Sequence, residues 1–162
     1  MKVYKKYLVR RNLDMYSEMV FGDKLNKEGQ EVFYPFKDKG VDLVSIDKEG
    51  NTYYYQLKAR NLNSQYGEYW FRIVKKKLLK FKEMTKNKGF WVFCALKEKE
   101  QFDFFQVPQE MVEEWFEEAV RNNTKNKDEK FLIVKPIENG KYEIRPKRIA
   151  EKINIMNFLL KK

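Results

Sequence analysis

A carboxylate, an amide and a lysine occupy positions at which a β-hairpin would bring them together. Asp42 lies in the strand-like segment 40–44, and Gln56 and Lys58 lie in the segment 54–58 after a polar turn that contains glycine. Side chains alternate between the two faces of a strand, so Gln56 and Lys58 share a face, and a hairpin can place Asp42 on it too. An acid, an amide oxygen and an ammonium group arranged in this way outline a site for metal-assisted cleavage of a phosphodiester.

The segments around this hairpin are predicted from apolar periodicity and from the positions of Gly and Pro. The segment 69–73 fits either a short strand or the start of the next helix, and the apolar run 90–96 is typical of a central strand. In chain order we predict a helix at 4–27, a strand at 30–36, the Asp42 and Gln56 strands, a loop at 61–67, a helix at 75–88, strands at 90–96 and 102–107, a helix opened by Pro108, a loop at 122–130, a hairpin of 131–137 with 142–144, and a last helix at 149–160.

This order predicts an α/β fold of the mixed α+β kind, in which a central mixed β-sheet is flanked by helices and followed by a C-terminal hairpin and helix. No repeat or linker divides the 162 residues, so we expect one domain, with a core at about 4–121 and an extension at about 131–162. In the helix 75–88, the residues expected to face inward are Leu78, Leu79 and Phe81. The helix after Pro108 has an apolar stripe made of Val112, Trp115, Phe116, Ala119 and Val120.

The composition excludes several kinds of active site. The chain has no His and a single cysteine, Cys94, so a Ser-His-Asp triad, a Cys-His nucleophile pair and a His-ligated zinc site cannot be built. Any metal would be bound by oxygen, which favours Mg²⁺, Mn²⁺ or Ca²⁺. Cys94 lies in an apolar run, where a packed core thiol is expected, and a lone cysteine fits a reducing compartment.

The net charge of the chain is +10, from 34 Lys and Arg against 24 Asp and Glu. Such an excess favours a polyanionic partner, most often nucleic acid. No apolar run is long enough to cross a bilayer and no secretory segment follows the N-terminus, so we expect a soluble, cytoplasmic protein with no membrane partner. The densest positive segment, which a solvated helix face would explain equally well, holds Lys75, Lys76, Lys77, Lys80 and Lys82.

A further acidic candidate, Glu18, lies in the predicted first helix. On a helical wheel it shares an arc with Met15, Gly22 and Leu25, so its carboxylate is expected on or beside the buried stripe. A buried carboxylate is costly without a cation or hydrogen-bond donors, and a metal held jointly with Asp42 would remove that cost. Periodicity alone favours the simpler alternative, in which Glu18 lies at the edge of the stripe and reaches water.

Together these residues resemble the PD-(D/E)XK nuclease superfamily, which has the restriction-endonuclease-like fold. The core of that fold is a helix, three strands, a helix and another strand, and this order is predicted here from about 4 to 96. The family motif has an acidic residue at the start of the second strand and (D/E)-x-K on the third, which match Asp42 and Gln56-Leu57-Lys58. A helix-borne Glu is common in the family, and Glu18 fits its position.

The motif departs from the common pattern at two positions. Gln56 stands where Asp or Glu is usual, as in Q-x-K variants that resemble modification-dependent restriction endonucleases and some archaeal-type nucleases. The loss of one negative charge leaves the number of metals and the strength of their binding open. The family's proline before the acidic residue is also absent, because Val41 precedes Asp42 and Pro35 lies earlier.

The resemblance implies a Mg²⁺-dependent DNA endonuclease in which Mn²⁺ can substitute. The ligands it implies are Asp42, Glu18, the side-chain oxygen of Gln56 and the carbonyl of Leu57; the ion would neutralise charge and acidify an attacking water. Lys58 would orient or deprotonate that water, or stabilise developing charge. The alternative for Lys58 is an ion pair with Asp42 that holds the hairpin together.

Contacts to DNA are expected close to the motif. Tyr54 shares a face with Gln56 and Lys58, and the residues after Lys58 lie on a predicted loop, where phosphate or base-edge contacts are natural. Each candidate could equally be a plain surface residue. The candidates for nucleic-acid binding are Tyr54, Arg60, Asn61, Gln65, Lys75, Lys76 and Lys80, with Asn63 and Tyr66 on the same loop.

The sequence leaves three functions open. The first is the endonuclease, which would be a homodimer if it makes double-strand breaks. The second is a nucleic-acid-binding module that does not cleave, and metal-dependent cleavage separates it from the first. The third is an interaction protein that docks a basic partner, and salt-sensitive DNA binding would argue against it. Its acidic helix would present Glu110, Glu113, Glu114, Glu117 and Glu118.

Overall fold

Three α-helices are separated by groups of two to four strands in a computed structural model that describes residues 2–36, 40–86, 88–98 and 101–146. Within these ranges no helix is both long enough and apolar enough to cross a membrane. The elements are α1 (Lys2–Lys27), β1 (Glu31–Phe33), β2 (Leu43–Ile46), β3 (Thr52–Asn61), β4 (Tyr69–Val74), α2 (Lys75–Thr85), β5 (Gly89–Leu96), β6 (Phe102–Pro108), α3 (Gln109–Asn122), β7 (Glu129–Pro136) and β8 (Tyr142–Pro146).

The strands form two sheets, and the mixed α+β class predicted from the sequence is confirmed. The larger sheet has five strands in the order β1-β2-β3-β5-β6. Its β3 and β5 are parallel and its other pairs antiparallel, and β5 lies in its interior, as its apolar sequence predicted. The smaller sheet has the order β4-β7-β8, and the predicted C-terminal hairpin is its antiparallel β7-β8 pair. The segment 69–73, for which the sequence allowed either a strand or the start of a helix, is therefore a strand, β4.

The two faces of the five-stranded sheet are covered differently. Helix α1 packs on one face through Phe21 and Leu25, which contact a cluster that includes Tyr55, Leu57 and Cys94. The smaller sheet, α2 and α3 cover the other face around Trp91. Burial raises the pKa of the Cys94 thiol, which is the packed core thiol expected from the sequence. Side chains of β3 alternate between the two faces of the sheet, so those that do not pack under α1 point to the opposite face.

A buried amide joins α2 to α3 and to the central strand. Trp91 Nε1 donates a hydrogen bond to Gln109 Oε1 at 2.5 Å, and Gln109 Nε2 donates to the carbonyl of Leu78 at 3.1 Å and to Glu113 Oε1 at 2.6 Å. Glu113 Oε2 also accepts from Lys82 Nζ at 2.7 Å. Because buried polar groups are costly unless bonded, this network fixes the position of α2 against the sheet.

Some local predictions are wrong. Leu79 is 51% exposed, because the buried stripe of α2 runs through Leu78, Phe81 and Thr85 at helical spacing. Met15 is 57% exposed although Gly22 and Leu25 of the arc drawn with it are buried, so the buried part of that arc does not extend back to Met15. The first strand is shorter than 30–36 and the second helix ends before 88. The predicted helix at 149–160 lies outside the described residues.

Replacing Gly89 with alanine is expected to destabilise the protein by about 1–3 kcal/mol, the usual cost of overpacking. An added Cβ would lie 2.4 Å from Phe81 Cε1 and 2.7 Å from Thr85 Oγ1, and both of these residues are fully enclosed. Denaturant unfolding measures the change. The double variant with Phe81→Leu should lose less than the sum of the two single losses, and strict additivity would contradict the clash.

Candidate active site

The site lies where β3 extends beyond the end of the neighbouring strand β2. Strand β2 starts at Leu43, which lies opposite Tyr55, whereas β3 continues to Asn61. On its other side β3 stays paired with β5 through this stretch. The second half of β3 thus extends beyond the β2 ladder, and its backbone groups on that side require other partners.

Asp42 supplies the first of these partners. Its amide N donates to the Tyr55 carbonyl at 2.9 Å, continuing the hairpin by one residue. Its carboxylate oxygen Oδ2 then accepts the amide N–H of Leu57 at 2.7 Å and a hydrogen bond from Gln56 Nε2. A side-chain oxygen therefore takes the place that a strand carbonyl would fill, and Asp42 and Gln56 are brought into contact on one face, as the strand alternation predicted.

Asp14, on α1, supplies a second carboxylate at the same edge. Its Oδ1 accepts the amide N–H of Ala59 at 3.4 Å, two residues along β3 from Leu57. Ser17 Oγ donates to the Asp14 carbonyl at 2.7 Å, within the same helix. Successive N–H groups on this side of β3 therefore meet two acidic side chains, one from the hairpin and one from α1.

These groups line a cleft of about 400 Å³ between α1, β3 and α2, called the β3-edge cleft below. Three acidic and three lysine side chains face one another in it, so opposite charges meet within one space. It is lined by Asp14, Glu18, Gly40, Asp42, Gln56, Leu57, Lys58, Lys77 and Lys80. The structure thus brings together six of the candidates chosen from sequence: Glu18, Asp42, Gln56, Leu57, Lys58 and Lys80.

Lys58 has an unusual electrostatic position in this cleft. Burial lowers the pKa of its ammonium below the ordinary 10.5, and the positive charge of Lys77 lowers it further. Asp42 and Asp14 act in the opposite direction without cancelling the shift. A lysine with a lowered pKa holds more of the neutral amine at mildly alkaline pH, which is the form that can accept a proton.

Helical periodicity explains which lysines of α2 reach the cleft. Lys77 and Lys80 are three residues apart, so they lie on one side of the helix, next to the buried stripe. Lys75 instead lines a groove between α2 and α3. Lys76 is exposed and is not among the residues that line the β3-edge cleft.

Other candidates for nucleic-acid binding lie outside the β3-edge cleft. Tyr54 is half-buried and packs against the core around Trp91. Gln65 is exposed on a turn, where its amide N donates to Asn63 Oδ1 at 3.0 Å. Arg60 and Asn61 line a neighbouring cleft instead.

Three lining residues were not among the candidates chosen from sequence: Asp14, Lys77 and Gly40. Asp14 is one helical turn before Glu18, so the same wheel that selected Glu18 contained a signal for it. Gly40 has φ of +97°, a backbone conformation that favours glycine, and it leads the chain into Asp42. The sequence predicted that Gly40 lies in a turn, but it did not predict that Gly40 lines the cleft.

The donor set of the cleft fits a hard, oxygen-preferring cation. Asp42, Glu18, Gln56 and the Leu57 carbonyl offer carboxylate and amide oxygens and no soft ligand. Across the described ranges, no three acidic or thiol side chains are grouped closely enough to hold a metal by themselves. Mg²⁺ does not require such a cage, because it is commonly bound through one or two carboxylates together with water and substrate phosphates.

Comparisons with known proteins give weak structural likenesses. No protein-family model and no curated protein matches the sequence. A bacterial homing endonuclease, I-Ssp6803I, is similar over 62% of this chain and 70% of its own, at 18% identity and a TM-score of 0.47. A nuclease from a fusselovirus is similar over 98% of this chain and 90% of its own, at 13% identity and a TM-score of 0.34. Likenesses of this strength define no family, so the function rests on the chemistry of the cleft.

Proposed function

We propose that this protein is a metal-dependent DNA endonuclease that hydrolyses phosphodiester bonds in the β3-edge cleft. One arrangement carries the proposal. Asp42 is fixed by the Leu57 amide and the Gln56 side chain, in a cleft it shares with Lys58, an ammonium whose pKa is lowered by burial. An oriented carboxylate can bind a metal ion, and a lysine with a lowered pKa can orient or deprotonate an attacking water, which are the roles that hydrolysis of a phosphodiester needs.

Asp42, Glu18, the Gln56 oxygen and the Leu57 carbonyl would hold Mg²⁺, or Mn²⁺ in its place. Strand geometry supports the carbonyl: the N–H of Leu57 points to the open edge, and the C=O of the same residue in such a strand points to the same side. When bound, the ion would neutralise charge on the phosphate and make an attacking water more acidic. The hydrogen bonds to Asp42 Oδ2 keep that carboxylate in one orientation, so its side chain loses little conformational entropy when substrate binds.

Lys58 has the proton-transfer role in this proposal. With its amine neutral, Lys58 accepts a proton from the attacking water; with its amine charged, it can only orient that water or stabilise the phosphate. Because Lys77 lines the same cleft and lowers the pKa of Lys58, it makes the neutral form more accessible. Lys77 therefore favours the proton-transfer role of Lys58 through its charge.

Positive charge around the cleft suits a nucleic-acid backbone. Lys77 and Lys80 line the same cleft as Asp42, where they can contact phosphates next to the bond that is cut. The net charge of +10 supplies long-range attraction to the same polyanion. The acidic helix α3, by contrast, has its Glu113 engaged within the molecule by Lys82 and Gln109.

The proposal is tested by incubating the protein with plasmid, single-stranded and branched DNA, and with RNA, in Mg²⁺, Mn²⁺ or EDTA. Cleavage of DNA that requires the metal and stops in EDTA is expected. A protein that binds DNA in a salt-sensitive way but cuts nothing in either metal would instead be the non-catalytic module. Linear rather than nicked plasmid products would call for two clefts, and sedimentation would then show a homodimer.

A further inference from the structure

A second cleft of about 470 Å³ lies beside the first, and Asp14 lines both. Its volume is within the range of pockets that hold small organic groups. It is formed by the end of β3, the turn that follows and the outer face of the smaller sheet. We call it the Trp70 cleft.

Strand register explains the aromatic wall of the Trp70 cleft. In β4 the residues Tyr69, Phe71 and Ile73 enter the core, so Trp70 and Arg72 face outward. Phe131 of β7 is the register partner of Arg72, and directly opposed residues of an antiparallel pair share a face. The wall is therefore Trp70, Arg72 and Phe131, with the rings of Trp70 and Phe131 5.9 Å apart.

This wall is held in place by its neighbours. Tyr66 stacks on Trp70 with ring centroids 5.5 Å apart and an angle of 24° between the planes. Trp70 Nε1 donates to Glu68 Oε2 at 3.1 Å, and Arg72 is ion-paired with Glu129. An aromatic surface that is already ordered loses little entropy when a flat ligand stacks on it.

The polar side of the cleft complements the aromatic side. Arg60, Asn61 and Asn63 also line it, and guanidinium and carboxamide groups are those that pair with the hydrogen-bonding edges of nucleobases. Aromatic rings and guanidinium planes stack on bases of any sequence. A planar group with a polar edge and an attached anion fits this lining better than a purely apolar or purely charged ligand.

We propose that the Trp70 cleft receives one unstacked nucleobase of the nucleic-acid substrate, next to the phosphate held in the β3-edge cleft. This rests on the proposed function, because Asp14 lines both clefts and would bring the base and the scissile phosphate into adjacent positions. Extrusion of a base costs least where it is already unpaired. The protein is therefore selective for DNA with an unpaired or weakly paired base beside the cleavage position.

The test is binding to a short duplex with a single unpaired base, compared with the same duplex carrying an abasic sugar at that position. Anisotropy is recorded in EDTA, so the measurement needs no cleavage. Loss of one stacking partner weakens binding by about 5- to 150-fold per base, so the wild type should prefer the base-containing duplex by about tenfold. Trp70→Ala should abolish the preference, and Trp70→Phe should restore part of it.

Phe33→Ala is the matched control for Phe131→Ala, because the rings are 48% and 41% exposed and only Phe131 lines the Trp70 cleft. Phe131→Ala should reduce the preference and Phe33→Ala should leave it intact. Equal binding of the two duplexes by the wild type overturns the proposal without any variant, as does a preference that survives in folded Trp70→Ala. Metal-dependent cleavage with no base preference would retain the nuclease and reject the base pocket. A base preference without cleavage would retain the base pocket and reject the nuclease.

Discussion

Replacing Asp42 with asparagine is expected to lower the rate of metal-dependent DNA cleavage by about 100-fold or more, since a metal contributes several kcal/mol of charge stabilisation. Asparagine keeps an oxygen that can accept the Leu57 N–H but loses the negative charge. The backbone of the open β3 edge therefore remains bonded while the site loses its best cation ligand. Single-turnover cleavage at saturating protein measures the rate, and thermal unfolding checks the fold.

Asp47→Asn is the matched control, because Asp47 is a carboxylate of the same hairpin that also accepts backbone hydrogen bonds. Its oxygens accept from the amides of Glu49 at 3.0 Å and Asn51 at 2.8 Å, and bonding to the Asn51 side chain is the main cause that lowers its pKa to about 2. A depressed carboxyl pKa stabilises the fold above the unfolded value of 3.8 and loses that effect as the pH falls toward 2. Asp47→Asn should therefore lower stability but leave cleavage unchanged.

Equal cleavage by the wild type and Asp42→Asn would remove Asp42 from the reaction. An equal loss in Asp42→Asn and Asp47→Asn would assign both effects to the hairpin rather than to a metal ligand. Full cleavage in EDTA by either protein would contradict the metal dependence itself.

The grouping of Asp42, Gln56 and Lys58 in the β3-edge cleft could be predicted from sequence because it depends on the local alternation of strand side chains. Gln56 and Lys58 share a face by the two-residue period of a strand, and a short hairpin limits where Asp42 can lie. In the structure Gln56 donates a hydrogen bond to Asp42, a contact that these rules allow. The apolar run that marks β5 as central is equally local, since a strand covered on both faces has no polar positions to offer.

The other parts of the two clefts depend on contacts between residues that are far apart in the sequence, and local patterns do not encode such contacts. Asp14 reaches Ala59 only because β2 stops short and α1 crosses the exposed end of β3. The Trp70 cleft needs β4 to pair with β7, which is far away in sequence. Nothing in the segment 69–73 itself selects that partner, and this is why it could be predicted as either a strand or a helix start.

Helix faces were predictable only to within one residue. Leu78 and Leu79 are both apolar, yet consecutive helical residues are about 100° apart and one of them must turn toward solvent. The same rotation decides that Lys77 and Lys80 line the β3-edge cleft while Lys75 lines the groove beside α3. A charge-rich segment thus predicts a binding surface without saying which of its lysines form it.

Replacing Lys58 with methionine is expected to lower cleavage by about 10²- to 10⁴-fold, the usual contribution of a positioned proton-transfer group. The same change should raise the free energy of unfolding at neutral pH. Burial lowers the pKa of Lys58 in the folded protein below 10.5, so the charged amine costs stability below that lowered value. The cost fades as the pH rises through the lowered pKa toward 10.5, and the stability difference between the two proteins should shrink over that window. Chemical unfolding across this pH series measures the difference.

Lys58→Arg and Lys27→Met complete the experiment. Arginine keeps a positive charge but cannot lose its proton, so it should be as inactive as methionine if Lys58 accepts a proton. Substantial cleavage by Lys58→Arg would instead assign Lys58 to charge stabilisation. Lys27 is on α1 with its side chain 75% exposed, so Lys27→Met should leave cleavage unchanged. If Lys58→Met unfolds more readily than the wild type at neutral pH, the ammonium of Lys58 is stabilised by its acidic neighbours, and the ion-pair interpretation replaces the catalytic one.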